Sequence, residues 1–286
     1  MKIFQIKHLG FTYPKNQIKA VDDVSFEIFE GEIFGLLGPS GAGKSTTQKI
    51  LTRLLKNYRG DILYQGKSLS GYSNHFYEDI GVGFELPVHF SKLTAMENMK
   101  FFQQLYKNHA DINFLLKKVG LYEDKDRLVG EFSKGMKMRL NFVRAMLNNP
   151  KILFLDEVTN GLDPKNARII KDMIREFKAA GGTVLLSTHL MNDVEELCDR
   201  VAFMSGGNIK EISTPRALKL KHGERILDVE YHDNGSTHKT TFNLDNIGDN
   251  QDFLKIIKDY DIETMHSGET SLDEIFIKVT GDTIDE

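Results

Sequence analysis

The sequence predicts an α/β fold with a helical insertion, followed by a small α+β appendage. Continuous apolar runs such as residues 151–155 and 183–187 are typical of parallel strands covered on both faces. A short apolar run, a glycine-rich loop and a helical stretch follow one another over residues 31–55, as in a βα unit. With 286 residues, the chain is long enough for one large domain and a smaller one.

The first domain is expected to span residues 1–212. Its opening residues predict two strands, and a third strand runs into the glycine-rich loop. Amphipathic runs predict a mostly helical subdomain over about residues 90–149. After it come the strand at 151–157, a helix at 167–182 that ends at glycine, a strand at 183–189, and a strand and turn at 200–209.

The second domain is expected to span residues 213–286. Thr214 and Pro215 are a suitable N-cap and first residue for a short helix. Two strand-like runs around Asn234-Gly235 predict a hairpin. A helix and a strand follow, and Ser271 with Glu274 predicts a capping box at the start of the last helix. The sequence of this domain contains no pattern typical of a catalytic site.

Composition excludes several functional classes. A net charge of -4 gives no general attraction to nucleic acid, so no nucleic-acid partner is expected. The single cysteine, Cys198, excludes a disulfide framework and a cysteine metal cluster. Its helical context predicts a buried structural thiol. No signal peptide is evident, and no apolar run approaches the roughly 20 residues that cross a bilayer. We therefore expect a cytoplasmic protein that reaches a membrane only through a partner.

The segment GPSGAGKS matches the phosphate-binding pattern G-x-x-x-x-G-K-[ST]. A preceding strand and a following helix are the context in which such a loop binds phosphate through backbone N–H groups and the helix N-terminus. Lys44 would bridge the terminal phosphates of ATP, and Ser45 would hold Mg²⁺. The expected nucleotide-binding residues are Gly38, Pro39, Ser40, Gly41, Ala42, Gly43, Lys44, Ser45 and Thr46.

Polar side chains follow two of the buried strands. Asp156 and Glu157 close the strand at 152–157, where ligands of parallel sheets bind. Asp156 suits the metal and Glu157 suits a general base, although such a pair can also cap a turn. His189 ends the next strand and would lie at the same edge. There it could contact the γ-phosphate, but a lone histidine is often structural, so both roles stay open for His189.

These motifs in this order make residues 1–212 resemble the ATP-binding cassette (ABC) ATPases of membrane transporters. The Walker A motif is GPSGAGKST, the signature region is FSKGM, the Walker B motif with its glutamate is ILFLDE, the D-loop is NGLD and the H-loop is STH. The resemblance implies a P-loop NTPase fold, ATP hydrolysis with Mg²⁺, catalytic roles for Lys44, Glu157 and His189, and a separate membrane permease as partner.

The resemblance also implies a head-to-tail pair of cassettes, most simply a homodimer. Ser133 and Gly135 would then contact the ATP bound by the other subunit, and Asp163 would lie near the interface. The alternative is that Ser133 only caps an ordinary helix. Tyr13, in the run FTYP, matches the aromatic residue that stacks on adenine, although a strand aromatic in the core is the competing reading.

Four residues depart from the family pattern. Glu85 stands where glutamine is usual, and its carboxylate would still ligate Mg²⁺ while adding negative charge near the phosphates. Lys134 and Met136 replace the usual glycine and glutamine of the signature, and Val158 replaces a proline. Because the Walker residues and His189 are in place, hydrolysis is expected to survive these changes.

We therefore expect an ATPase subunit that lies at the inner face of the cell membrane and powers a permease. Residues 83–102 resemble the loop that faces the permease, and the chain end resembles exporters of drugs or antimicrobial peptides. One alternative is a single-cassette soluble ATPase that acts with a non-transport partner such as a cluster-assembly scaffold. Another is a regulatory protein that uses ATP only as a switch, which the intact Glu157 disfavours.

Overall fold

The computed structural model describes residues 1–14, 18–86, 88–233 and 235–283. The chain divides into two compact units, Met1–Ile212 and Ser213–Thr283, which we call the N-terminal unit and the C-terminal unit.

A six-stranded sheet forms the centre of the N-terminal unit, with the order β10-β9-β3-β8-β7-β6. The pairs that β3, β6, β7, β8 and β9 form with one another are all parallel. Every residue of β3, β7 and β8 is buried, which explains their continuous apolar sequences. The strands are β3 (Ile33–Leu37), β6 (Ile80–Gly83), β7 (Ile152–Asp156), β8 (Thr183–Thr188), β9 (Arg200–Ser205) and β10 (Asn208–Ser213).

A second, antiparallel sheet has the order β2-β1-β4-β5. Its apolar face packs against the parallel sheet in one core, where Phe4 meets Phe154 edge to face and Phe26 stacks on Phe34. Aromatic pairs of these geometries add to the burial of their surface. The strands are β1 (Lys2–Phe11), β2 (Val21–Phe29), β4 (Arg59–Tyr64) and β5 (Lys67–Ser68).

Side-chain caps fix the starts of four of the helices in the N-terminal unit. Thr94 forms a capping box with Glu97, and Asp111, Ser133 and Asp163 each accept a hydrogen bond from the first turn. The helices are α1 (Lys44–Leu51), α2 (Phe76–Asp79), α3 (Ala95–Gln103), α4 (Ile112–Lys118), α5 (Lys134–Met146), α6 (Pro164–Ala179) and α7 (Met191–Leu197), with 3₁₀ turns at Leu69–Gly71 and Val129–Glu131.

The C-terminal unit contains a three-stranded antiparallel sheet with the order β12-β11-β13. Val229, Phe242 and Ile256 form the centre of its core, where one face of the sheet meets a helix. The elements are α8 (Pro215–His222), β11 (Arg225–Asp233), β12 (Ser236–Asn243), a 3₁₀ turn at Ile247–Asp249, α9 (Gln251–Asp259), β13 (Asp261–Glu269) and α10 (Leu272–Thr280).

Most predicted elements are confirmed. Thr214 caps α8, and Ser271 forms the expected capping box with Glu274. The hairpin strands β11 and β12 pair as predicted, but Asn234 of their turn lies outside the described residues. Cys198 is buried, and burial raises the pKa of its thiol far above the ordinary value, so it is an inert structural residue.

One prediction was wrong, and two regions held strands that were not predicted. Tyr13 lies two residues beyond the end of β1 rather than in the strand. The strand and turn predicted at 200–209 are confirmed as β9 and a turn at Gly206 and Gly207, whose left-handed conformations reverse the chain into the unpredicted strand β10. The strands β4, β5 and β6 carry no strong periodicity and were not predicted.

Candidate active site

The loop between β3 and α1 requires glycine at two close approaches. Gly43 has a φ of 101°, and a Cβ built there would lie 2.5 Å from the carbonyl oxygen of Ala20. At Gly38, a Cβ would lie 2.1 Å from the carbonyl oxygen of Met204. No side chain fits either position without moving the backbone, so the two glycines keep the loop tight against its neighbours.

Lys44 is buried at the start of α1, beneath this loop. Its ammonium donates hydrogen bonds to the carbonyl oxygens of Gly38, at 2.6 Å, and Pro39, at 3.1 Å. Burial lowers the pKa of Lys44, although the carboxylates of Glu157, Asp156 and Glu85 oppose the shift. The loop therefore holds a cation whose partners are mostly carbonyl dipoles, which favours an anionic ligand.

Asp156 is buried at the end of β7, where hydroxyl groups surround its carboxylate. Ser45 donates a hydrogen bond to Asp156 Oδ1 at 3.1 Å, and Ser187 donates a second one to the same oxygen. Gln48, one turn along α1, donates to Leu155 O and to Ser187 Oγ. These bonds join α1, β7 and β8 at the carboxyl edge of the parallel sheet.

Glu157 follows directly and has a φ of 51°, in the left-handed region that ordinary residues rarely occupy. Its Oε2 lies 2.9 Å from His189 Nδ1, and its Oε1 lies 3.9 Å from Lys44 Nζ. The contact with His189 is close but poorly aligned, so Oε2 lacks a good hydrogen bond. Burial raises the pKa of Glu157, and His189 and Lys44 limit the rise.

Ten of the expected residues line one open cleft of about 450 Å³. Such a volume suits a small-molecule ligand. Tyr13 is half-buried beside Phe11, and its hydroxyl lies 3.1 Å from Thr46 Oγ1, so it borders the same loop. The residues that line the cleft are Ser40, Gly41, Ala42, Gly43, Lys44, Ser45, Thr46, Glu85, Glu157, Asn160 and His189.

Seven predicted residues do not line this cleft. Four of them, Tyr13, Gly38, Pro39 and Asp156, form hydrogen bonds to residues that do line it. The other three, Ser133, Gly135 and Asp163, belong to other segments.

Ser133 caps α5 by accepting a hydrogen bond from Met136 N at 3.2 Å. A Cβ on Gly135 would lie 3.5 Å from Leu162, so the start of α5 lies beside the D-loop of its own chain. Asp163 caps α6 by accepting a bond from Asn166 N at 3.1 Å. Among the cleft-lining residues of the described chain, none comes from the signature region.

The oxygen donors fit a hard divalent cation bound together with a phosphate. Ser45 and Asp156 lie within hydrogen-bond distance of each other, and Glu85 lines the same cleft. Within the described residues, no group of three or more His, Cys, Asp or Glu side chains could hold a metal ion. Mg²⁺ commonly uses only one or two protein oxygens and takes its other ligands from phosphate and water. The donor set therefore matches Mg²⁺ bound together with ATP.

Several supporting residues were not predicted from the sequence. Asn160 lines the cleft, and Gln48 and Ser187 hold Asp156 and its strand in place. Gln48 lies one helical turn after Lys44, and Ser187 lies two residues before His189, so only spacing from known motif residues marks them. In the part of the chain that the structure describes, no helix has the length and apolar character of a membrane span.

Sequence comparison gives two family matches. Residues 21–160 match the model of the ABC transporter family. Residues 225–269 match the model described as the fluoroquinolone efflux ABC transporter C-terminal domain. The two matches fall in the N-terminal and the C-terminal unit, respectively.

Curated relatives extend over nearly the whole chain. A fluoroquinolones export ATP-binding protein of Mycobacterium tuberculosis is 47% identical over 98% of this chain and 94% of its own length. A lantibiotic transport ATP-binding protein of Streptococcus pyogenes is 38% identical over 79% of this chain and 98% of its own length.

Solved structures agree with these relatives. The structure of an ATP-binding subunit of an ABC transporter matches with a TM-score of 0.69 and 29% identity, over 77% of this chain and 92% of that one. A dimeric ATP-binding cassette in a post-hydrolysis state, bound to ADP and Pi, matches with a TM-score of 0.68 and 25% identity, over 74% of this chain and 98% of that one. The chain belongs to the nucleotide-binding ATPases of the ABC transporter family.

Proposed function

We propose that this chain hydrolyses ATP to drive a membrane permease that exports drugs of the fluoroquinolone class. The observation that carries the catalytic part is the convergence of Lys44, Asp156, Glu157 and His189 at one edge of the parallel sheet. The observation that carries the choice of substrate is the 47% identity to a fluoroquinolones export protein, which extends through the C-terminal unit.

Each residue of the cleft has a distinct proposed role. Lys44 exchanges its carbonyl partners for the terminal phosphates of ATP, since a charge-assisted bond to phosphate is stronger than one to a neutral carbonyl. Ser45 and Asp156, together with Glu85 from the cleft lining, would hold Mg²⁺, which would supply positive charge to neutralise the phosphates. The ring of Tyr13 stacks on the adenine.

Glu157 accepts a proton from the attacking water as general base. Burial raises its pKa towards neutral pH, and a general base works best when its pKa lies near the working pH. His189 lies within 2.9 Å of this carboxylate and is therefore placed to orient it and to contact the γ-phosphate. Asn160 lines the cleft beside these groups and provides a further polar contact for the substrate.

A second cassette completes the site. Ser133 and Gly135 lie at a helix start that does not face the cleft of its own chain, so they are free to serve another molecule. The matching cassette that was solved as a dimer supports this arrangement. We propose that two chains pair head to tail, with Asp163 near the interface and each α5 N-terminus directed at the partner's phosphate.

The permease binds beside the cleft, on an exposed apolar surface. Leu86 is 75% exposed and Val88 is 71% exposed. Further exposed apolar side chains are Phe90, which contacts Phe101 of α3, and Leu105, two residues after the end of α3. Exposed apolar patches of this kind mark protein interaction sites. Arg144 of α5 donates a hydrogen bond to Val88 O at 2.6 Å, which ties this loop to the helix that begins at Ser133.

Lantibiotic peptides are the second candidate substrate, since a lantibiotic transport protein is 38% identical over the cassette. That relative covers 79% of this chain, whereas the fluoroquinolone relative covers 98%. The match that extends through the C-terminal unit therefore favours a fluoroquinolone as the substrate. A cluster-assembly partner receives no support from these relatives.

The experiment uses the native host with its own permease. Deletion of the gene is expected to lower the minimum inhibitory concentration of a fluoroquinolone such as ciprofloxacin and to raise its cellular accumulation. Wild-type protein should restore both values, and Glu157→Gln should not. Restored resistance to a lantibiotic but not to the fluoroquinolone would select the second candidate. Equal resistance in all three strains would overturn the proposed export function.

A further inference from the structure

A buried group of polar side chains lies behind the catalytic cleft and connects the two segments that carry Glu157 and His189. Thr159, Lys171 and Asp193 are 5%, 8% and 3% exposed, respectively. Thr159 lies two residues after Glu157, Asp193 lies four residues after His189 at the start of α7, and Lys171 lies in the middle of α6. None of these three residues lines the cleft.

Asp193 uses both of its carboxylate oxygens. Its Oδ2 accepts a short hydrogen bond from Thr159 Oγ1, and its Oδ1 lies 2.7 Å from Lys171 Nζ. Lys171 also reaches Glu196 at 3.1 Å. Burial alone would lower the pKa of Lys171, but its hydrogen bonds and charge pairing with Asp193 and Glu196 raise it above the ordinary value. The ammonium is therefore charged, and the buried pair is satisfied.

The segment that begins at Glu157 needs such a restraint. A left-handed φ at a residue with a side chain costs energy and persists only where the surroundings hold it. On the N-terminal side, Glu157 N donates to Ser187 O at 3.0 Å. Position 158 is Val rather than proline, so no ring fixes the turn there. On the other side, Asn160 N donates to Glu157 O at 3.1 Å, and the hydroxyl of Thr159 ties the segment to Asp193.

The segment of His189 is held by the same carboxylate. Thr188 Oγ1 accepts a bond from Leu190 N at 2.9 Å, which fixes the turn around His189. Asp193 then anchors the first turn of α7, where its negative charge also suits the helix dipole. One carboxylate therefore joins the segments on either side of the contact between Glu157 and His189.

We infer that Thr159, Asp193 and Lys171 form a buried bridge that sets the position of the Glu157 carboxylate relative to His189, so that Thr159 is a positioning residue for hydrolysis. This inference rests on the proposed function of Glu157 as general base. A misplacement of about 1 Å in a catalytic group can cost on the order of a hundredfold in rate. The bridge contributes to the chemical step and not to nucleotide binding.

The test compares Thr159→Val, which keeps the shape but removes the donor, with Thr159→Ser, which keeps the hydroxyl. Phosphate release with Mg-ATP gives kcat and KM, fluorescent nucleotide titration gives ATP affinity, and thermal unfolding gives stability. We expect kcat of Thr159→Val to fall about ten- to a hundredfold, with KM and affinity within about twofold of wild type. Thr159→Ser should recover most of the rate.

Thr52→Val is the matched control. Thr52 is buried as well, but its hydroxyl bonds to Gln48 O within its own helix region. Its kcat should stay near the wild-type value. If Thr159→Val fails to bind ATP, or if its unfolding is not cooperative, Thr159→Ala takes its place, with the same expected fall in kcat.

A wild-type rate in Thr159→Val, or an equal loss in Thr159→Ser, would overturn the inference. So would a rise in KM with unchanged kcat. Absence of hydrolysis in the wild-type protein would instead contradict the proposed function, so the two failures are distinguishable.

Discussion

The two units differ in what they bury. In the N-terminal unit, Lys44, Asp156 and Glu157 are all buried, and a cleft opens onto Lys44 and Glu157. Every buried polar or charged side chain among the described residues lies between Glu32 and Ser205, which is entirely within this unit. Burial of such groups is costly unless each is paired, so the unit contains networks of hydrogen bonds and ion pairs among them.

The C-terminal unit keeps its polar groups at the surface. Thr241 donates to Asp228 at 2.6 Å, and Lys239 pairs with the same carboxylate at 2.9 Å, all on the sheet face away from Val229. Exposed pairs of this kind contribute little to stability. The difference indicates that the chemistry belongs to the N-terminal unit, whereas the C-terminal unit has an ordinary apolar core and a solvated face.

The largest expected effect comes from equivalent core deletions in the two units. Phe154→Ala and Phe242→Ala should each lower the free energy of unfolding by about 3–5 kcal/mol, with the smaller loss at Phe242 because it retains some exposure. Phe154 lies in the strand that carries Asp156, so its removal should also reduce ATP hydrolysis. Denaturant unfolding and phosphate release measure the two effects. Loss of hydrolysis in folded Phe242→Ala would show that the chemistry also depends on the C-terminal unit.

A pair of lysine substitutions tests whether nucleotide binding depends on the N-terminal unit alone. Lys44→Ala should weaken Mg-ATP affinity about 10- to 150-fold, which corresponds to the loss of a charge-assisted hydrogen bond of about 1.5–3 kcal/mol. Lys239→Ala removes an ion pair in the C-terminal unit and should leave affinity unchanged. Isothermal titration with Mg-ATP measures both. Unaltered affinity in Lys44→Ala would place the nucleotide elsewhere.

The third prediction is that the N-terminal unit loses stability at acidic pH because of the buried His89. Burial, helped by the charges of Arg144 and Lys137, lowers the pKa of His89 to about 4 from 6.5. Between these values the unfolded chain binds a proton that the folded chain does not. This contribution to stability is therefore complete above about pH 6.5 and is lost as pH falls towards 4.

The loss should be on the order of 2 kcal/mol after allowance for the water that reaches the ring. Urea unfolding of wild type and His89→Gln at pH 7.5 and 5 measures it, with exposed His266 of the C-terminal unit as control through His266→Gln. If His89→Gln loses as much stability between pH 7.5 and 5 as the wild type does, His89 is not the source of the pH dependence.

The smallest effect separates two helix caps with the same geometry. Ser133 and Ser271 each accept a hydrogen bond from the third residue of their helix, at 3.2 and 3.3 Å. Replacement of either by alanine should cost about 1 kcal/mol of stability. Only Ser133→Ala should also lower the ATPase rate, because only that helix start is proposed to contact the partner's phosphate. Equal ATPase rates in the two variants would leave Ser133 a structural cap.

The sequence predicted the parts of the fold that carry strong local signals. Continuous apolar runs identified β7 and β8, and side-chain caps identified the starts of α8 and α10. One strand of each sheet was missed because its sequence signal is weak: β5 of the antiparallel sheet has two residues, and β6 of the parallel sheet contains two glycines among four residues. Strand order depends on pairing between segments distant in sequence, such as β3 between β8 and β9.

The same distinction holds for the site. Lys44, Ser45, Asp156, Glu157 and His189 belong to motifs whose spacing reflects their chemistry, and the structure brings them together. The bridge of Thr159, Lys171 and Asp193 could not be predicted, since its members have ordinary residue types. Its longest link, between Thr159 and Asp193, joins residues 34 positions apart.

Measurement of hydrolysis by Glu157→Gln decides whether Glu157 is the general base of the catalytic cleft. Phosphate release and equilibrium binding of Mg-ATP should be measured on the same purified wild-type and variant proteins. Loss of a general base should lower the rate about 10²- to 10⁴-fold while ATP affinity stays near that of wild type. Light scattering should then detect an ATP-dependent dimer of the variant. An undiminished rate would show that Glu157 is not the base, and that result would contradict the assignment of the catalytic cleft.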